Sequence, residues 1–173
     1  MKLFFKELTP ADIETYIAVG KASYEAHYLH LWQDQDPSAF YKENLAKEPI
    51  LKGLADANQF FFILYSSETP VGILKISLDV VHQQITTPQN VLLNKIYLLK
   101  EFSGMGIGKQ CIEFVEKFAV TKKRTLVWLF TMKKGPAQHF YTQNGYGIVG
   151  SSAVALKGVL DKEKAMWIMA KSL

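Results

Sequence analysis

Residues Lys100 to Gln110 read "KEFSGMGIGKQ", with glycines at 104, 106 and 108, after an apolar run and before a helix-like stretch. Glycine loses more conformational freedom on ordering than any other residue, so three within five positions predict a backbone that must approach something closely. A strand, a glycine-rich turn and a helix start form a ready anion cradle, because unpaired N–H groups and the helix dipole converge there. Two phosphate signatures can be tested against it. The P-loop needs Gly, four residues, then Gly-Lys-Ser/Thr, but Ser103 stands at the first glycine and Gln110 follows Lys109. The dinucleotide fingerprint fails in both registers, since Lys109 and Cys111 occupy its last position. Neither ATP nor NAD fits the loop.

Working outward, Ile107, Cys111, Ile112, Val115, Phe118 and Ala119 recur at spacings of three and four, which predicts an amphipathic helix ending before Lys122. "TLVWLF" then reads as a buried strand. "GPAQHFYTQNGY" reads as a short helix, with Pro136 near its start and Gly145 at its left-handed end. Upstream, "QFFFILYSSETPVGILKISLDVV" and "NVLLNKIYLL" predict a three-stranded meander. The N-terminal part opens with a short strand, "KLFFKEL". A helix follows, with Thr9 as cap, Pro10 at its first position and Asp12 in its first turn. One or two short helices come after Asp36-Pro37, interrupted before Pro49. "GYGIVGSSAVAL" and "KAMWIMAKSL" predict a closing hairpin. The predicted order is β-α-α-β-β-β-α-β-α-β-β.

A chain of 173 residues with 49% apolar composition predicts one globular domain over residues 1–173. No apolar run reaches the roughly 18 residues of a membrane span, and "MKLFFKELTP" has no signal-peptide core. The lone Cys111 excludes an internal disulfide and a cysteine zinc cluster. A cytoplasmic protein is expected, with no membrane partner. The net charge of +4 is modest, and the basic clusters at 122–124 and 133–134 carry no interleaved aromatics. No nucleic acid is therefore expected as a partner. His27, His30 and His139 have no metal-ligand spacing, and no metal is expected.

"SGMGIGKQCIEFVEKFA" resembles the Q/R-x-x-G-x-G/A signature of the GNAT N-acetyltransferases. The likeness extends through "LNKIYLLKEF" and "LVWLFTMKKGPAQHFYTQNGYGIVG", with Phe140-Tyr141 and Asn144-Gly145-Tyr146 in the family's order, and covers residues 58–150 best. It implies the GNAT acyl-CoA N-acyltransferase fold, an α/β (α+β) arrangement whose mixed, mostly antiparallel central sheet is flanked by helices and has splayed central strands. It also implies acetyl-CoA as co-substrate. The backbone of Ile96, Tyr97 and Leu98 would pair with the pantetheine arm, and the loop Ser103, Gly104, Met105, Gly106, Ile107, Gly108 and Lys109 would hold the pyrophosphate. Ser103 replaces the family's Gln/Arg, and Lys134 replaces a frequent Asn. Both lysines, Lys109 and Lys134, could restore positive charge to the cofactor site.

The implied reaction is attack of a neutral amine on the thioester, with an N–H near Leu98 steadying the oxyanion and Tyr141 as the acid that protonates the thiolate. An ammonium of pKa about 10.4 costs about 4.6 kcal/mol to neutralise at pH 7, so a base is needed. Many relatives carry a Glu on the central strand, where this chain has Leu92 and Asn94. Asp79, His82, Glu25 or a water chain are the alternatives. The bacterial spermine/spermidine N-acetyltransferase branch (PaiA-like proteins) is the nearest in look, through "QFFFILYSSETPVGILKI", "KIYLLKEFSGMGIGK" and "IMAKSL". A polyamine acceptor would call for carboxylates and aromatics, for which Glu25, Asp34, Asp36 and Glu43 beside Tyr24, Tyr28, Trp32 and Tyr41 are candidates. The reading is transfer to a small-molecule primary amine, a polyamine among them. The alternatives are a non-catalytic acyl-CoA sensor and a protein N-acetyltransferase. The resemblance also admits a homodimer.

Overall fold

In the computed structural model, which describes residues 2–173, the chain forms seven strands and five α-helices. In chain order these are β1 (Leu3–Glu7), α1 (Ile13–Tyr28), α2 (Ser38–Asn44), α3 (Lys47–Leu54), β2 (Gln59–Ser66), β3 (Thr69–Leu78), β4 (Asn90–Leu98), α4 (Ile107–Thr121), β5 (Leu126–Met132), α5 (Ala137–Gln143), β6 (Gly147–Ala153) and β7 (Ala165–Ser172). The order matches the sequence reading, and the stretch after Pro37 resolves into two helices that break at Leu45–Ala46. Thr9 caps a short 3-10 turn ahead of α1, its hydroxyl donating to Asp12 Oδ2 at 2.7 Å. Gly145 sits at φ 88°, the left-handed conformation expected where α5 ends.

The sheet runs β1-β2-β3-β4-β5-β7-β6. All its pairs are antiparallel except β4–β5, which α4 joins as a parallel crossover. The expected closing hairpin is present, with β7 inserted between β5 and β6. Helices cover both faces, which is why β2 and β3 read as continuous apolar runs. Phe62, Leu64, Leu74 and Ile76 pack with Ile107, Cys111, Ile112 and Val115 of α4 on one face. Phe61, Ile63 and Ile73 pack with Ile13, Tyr16 and Val19 of α1 and with Leu45 and Ile50 on the other. A full burial of such a side chain is worth about 1.5–3 kcal/mol, so these two layers carry the fold. Cys111 is buried and free, and burial pushes its thiol up to about 12, so it serves as core filling. No helix among the described residues is long and apolar enough to cross a membrane.

Candidate active site

Strands β4 and β5 pair only from Asn90↔Leu126 to Leu93↔Leu129. Beyond that point β4 stays with β3, as far as Gly72↔Leu98, while β5 stays with β7, as far as Met132↔Met166. The two strands therefore part in mid-sheet, and a cleft of about 560 Å³ opens between them. A bulge marks the parting. Lys75 faces Lys95 and Ile76 faces Leu93, so Asn94 is the extra residue of β4. Leu93 and Ile96 consequently share the α4 face although they are three apart, and Lys95 and Tyr97 turn toward α1 and α2.

The splay leaves one edge of β4 open. Leu99 donates its N–H to Val71 O at 3.0 Å, on the β3 side. Alternation along the strand then aims the amides of Leu98 and Ile96 into the gap and that of Tyr97 toward β3. Tyr97 reaches the cleft through its ring, which meets Tyr24 and Tyr28 at centroid distances of 5.6 Å each. Phe40 stacks on Tyr24 at 4.1 Å, and Trp32 Nε1 donates to Tyr24 Oη at 2.9 Å. Burial pushes the Tyr24 phenol up to about 12. Tyr141, on α5, lines the opposite side of the cleft, half-buried and edge-on to Tyr146 at 5.9 Å. Desolvation holds its phenol well above the usual tyrosine range, so it keeps its proton at neutral pH.

The three glycines serve two different purposes. Gly104 and Gly106 lie at φ 77° and 75°, and a Cβ on either would meet nothing within 4 Å. They make a turn that non-glycine residues resist, and they leave open space at the start of α4. The first-turn amides of Ile107, Gly108 and Lys109 belong to that helix end, where Ser103, Met105 and Lys109 are exposed. Gly108 has ordinary dihedrals, but a Cβ there would come within 3.0 Å of Phe140 Cζ. It lets α4 and α5 close on each other beside Tyr141.

Charge in the cleft differs from what the sequence suggests. No Asp or Glu among the described residues lines it; its charged or ionisable nitrogen groups are His27, His30, Lys95 and Lys134. Glu25 accepts from Tyr41 Oη at 2.8 Å, and Asp36 accepts from the Ser38 N–H at 3.0 Å, both at exposed positions. Asp34 and Glu43 also stand outside the lining, although Tyr24, Tyr28 and Trp32 belong to it. Of the other base candidates, Asp79 is paired with Arg124 at the far end of the sheet, and His82 Nδ1 accepts from the Gln84 N–H at 3.2 Å. Asn94 lines the cleft and accepts from Ser77 Oγ at 2.9 Å. Lys134 reaches Glu163 at 3.2 Å.

Lys95 went unnoticed in the sequence. It is only 7% exposed, and its Nζ donates to Asn44 Oδ1 at 2.9 Å. Burial, and secondarily the charge of Lys75, brings its pKa down to about 7. A lysine inside the otherwise apolar run "NVLLNKIYLL" was the signal available.

This architecture matches known proteins. The profile of the acetyltransferase (GNAT) family matches residues 21–146, and the chain belongs to that family. It is an acetyl-CoA-dependent N-acetyltransferase, with the fold expected. An uncharacterized N-acetyltransferase encoded in the pepI 3' region of Lactobacillus delbrueckii subsp. lactis is 23% identical over 140 residues, 80% of this chain and 81% of that protein. The spermidine N(1)-acetyltransferase of Thermoplasma acidophilum is 22% identical over 153 residues, 86% and 90% of the two chains. The crystal structure of the PaiA N-acetyltransferase from Thermoplasma acidophilum in complex with coenzyme A superposes with a TM-score of 0.72 over 100% of both chains, at 19% identity.

Proposed function

We propose that the protein transfers the acetyl group of acetyl-CoA to a small primary amine by direct attack, within one domain spanning residues 1–173. The observation that supports this most is the open edge of β4, which faces Tyr141 across the cleft. Acetyl-CoA supplies an activated thioester carbonyl. The amides of Ile96 and Leu98 offer a strand-like edge for its pantetheine arm. The open turn at Gly104 and Gly106 offers N–H groups to its pyrophosphate, with the exposed Lys109 adding charge. Lys134 contributes less, because Glu163 already answers its charge.

In the reaction the amine nitrogen forms a bond to the carbonyl carbon and the carbon–sulfur bond breaks. In this reading the Leu98 N–H donates to the developing oxyanion, a role in which one preorganised donor is worth about 3–4 kcal/mol. Tyr141 gives its proton to the departing thiolate, whose thiol has a pKa near 8.5. With no carboxylate among the described residues of the lining, the amine's proton leaves to water.

Calorimetric titration with acetyl-CoA, followed by an amine panel that includes spermidine, tests the reading. Tyr141→Phe should keep acetyl-CoA affinity and lower kcat by about 10²–10⁴-fold, the usual contribution of a positioned acid. Absence of both acetyl-CoA binding and transfer would overturn the reading.

A further inference from the structure

The acceptor side of the cleft, beneath α1 and α2, is one-sided in charge. Its lining has basic groups and no carboxylate among the described residues. Lys134 is answered by Glu163, and His27 and His30 stand at the exposed mouth. Lys95 has neither compensation. Its ammonium is buried, held by a neutral amide at 2.9 Å, and lies 5.9 Å from the Phe40 ring. The residue paired with it on β3 is another lysine, Lys75, which adds repulsion. A buried charge without a counter-charge is costly, and burial here depresses the lysine's basicity. The bulge at Asn94 turns Lys95 away from the α4 face and toward Asn44 and Phe40 of α2. An incoming oxyanion would find a counter-ion, an aromatic wall and a dry setting that strengthens the pair. A polyamine would place further ammonium groups beside Lys95 with no carboxylate to receive them.

We propose that the acceptor amine carries an oxyanion, a carboxylate or a phosphate, and that Lys95 is the group that receives it. The inference rests on the acyl-transfer reading. Residues contributing to this subsite are Lys95, Asn44, Phe40, Tyr24 and Tyr28.

The test uses matched amines with acetyl-CoA: phenylalanine against phenethylamine, phosphoethanolamine against ethanolamine, and spermidine. The expected result is a preference of at least about tenfold in kcat/KM for the anionic member of one pair, about 1.4 kcal/mol, and the favoured pair tells carboxylate from phosphate. Lys95→Met should abolish that preference while acetyl-CoA affinity stays, and Lys95→Arg should keep most of it. Equal use of both members, better use of spermidine, or a uniform loss for every amine in Lys95→Met would overturn the proposal, the last by making Lys95 a mere tether for α2. If acetyl-CoA binds but no amine is acetylated, the transfer reading fails, and titration with 3-phenylpropionate and with inorganic phosphate decides the anion site separately. Binding of either anion that disappears in Lys95→Met supports the site, and binding of neither refutes it.

Discussion

The two ends of β4 are built on opposite principles. From Asn90 to Leu93 the strand has partners on both edges and is buried on both faces. Its one polar side chain there, Asn90, is fully used. Nδ2 donates to Thr87 O at 2.9 Å and Val80 O at 3.2 Å, while Oδ1 accepts from Trp128 Nε1 at 2.8 Å and the Val80 N–H at 3.2 Å. From Asn94 to Leu98 the same strand loses one neighbour, kinks, and presents an amide edge and a buried lysine to a cleft. One end spends its polar groups on itself, whereas the other leaves them facing the cleft. A single extra residue, Asn94, separates the two regimes.

Substitutions can break or sharpen that contrast. At the closed end, Asn90→Leu leaves the buried Trp128 Nε1 and the Val80 groups unpaired and should destabilise the protein by about 2–5 kcal/mol, read as a lower urea midpoint with unchanged slope. At the open end the sign reverses. Lys95→Met should stabilise the unliganded protein by about 1–4 kcal/mol at pH 7, because an uncompensated buried charge is replaced by apolar volume. Its pKa of about 7 lies below the unfolded lysine's 10.5. The unfolded chain thus binds the extra proton between those values, and the wild type gains stability as pH rises through that window. The advantage of Lys95→Met should be full below pH 7 and shrink toward pH 10. An advantage independent of pH would show that Lys95 is not the group responsible.

The loop gives the smaller effects. Gly106→Ala forces a side chain to φ 75° and should cost about 1–2 kcal/mol, with the loss appearing in acetyl-CoA affinity. Gly108→Ala meets the Phe140 ring at 3.0 Å, and should cost no more than about 1 kcal/mol, mostly in thermal stability. If the two variants exchanged these signatures, the division between a ligand-facing and a packing glycine would fall.

Much of this was legible in the sequence because local chemistry marks it. Pro10, Pro136, Gly145 and the periodicity of α4 announce element ends and faces through short-range sterics and burial. The loop and Tyr141 follow from a motif. The bulge does not, since the skipped residue is defined only by pairing with β3, and the insertion of β7 depends equally on distant partners. The acids misled for a related reason. Glu25 and Asp36 are close in sequence to Tyr24 and Trp32, but the helix and the 3-10 turns after it leave the aromatics in the cleft and send the carboxylates to Tyr41 and Ser38. A lysine in a strand ordinarily marks a solvated edge, whereas here Asn44 and Phe40 of the distant α2 meet Lys95.

The insertion of β7 also makes one wall of the cleft depend on a distant segment. Strand β5 obtains its second neighbour from β7, beyond α5 and β6, with Leu126 paired to Ser172 and Met132 to Met166. During synthesis the meander and α4 can assemble early from near neighbours, whereas β5 must wait with one edge bare until β7 arrives. Such non-local pairing slows folding and leaves a strand edge open to wrong partners. The β5 wall of the cleft therefore depends on a pairing that local sequence cannot supply, and disrupting β7 should leave a bare edge in the middle of the sheet.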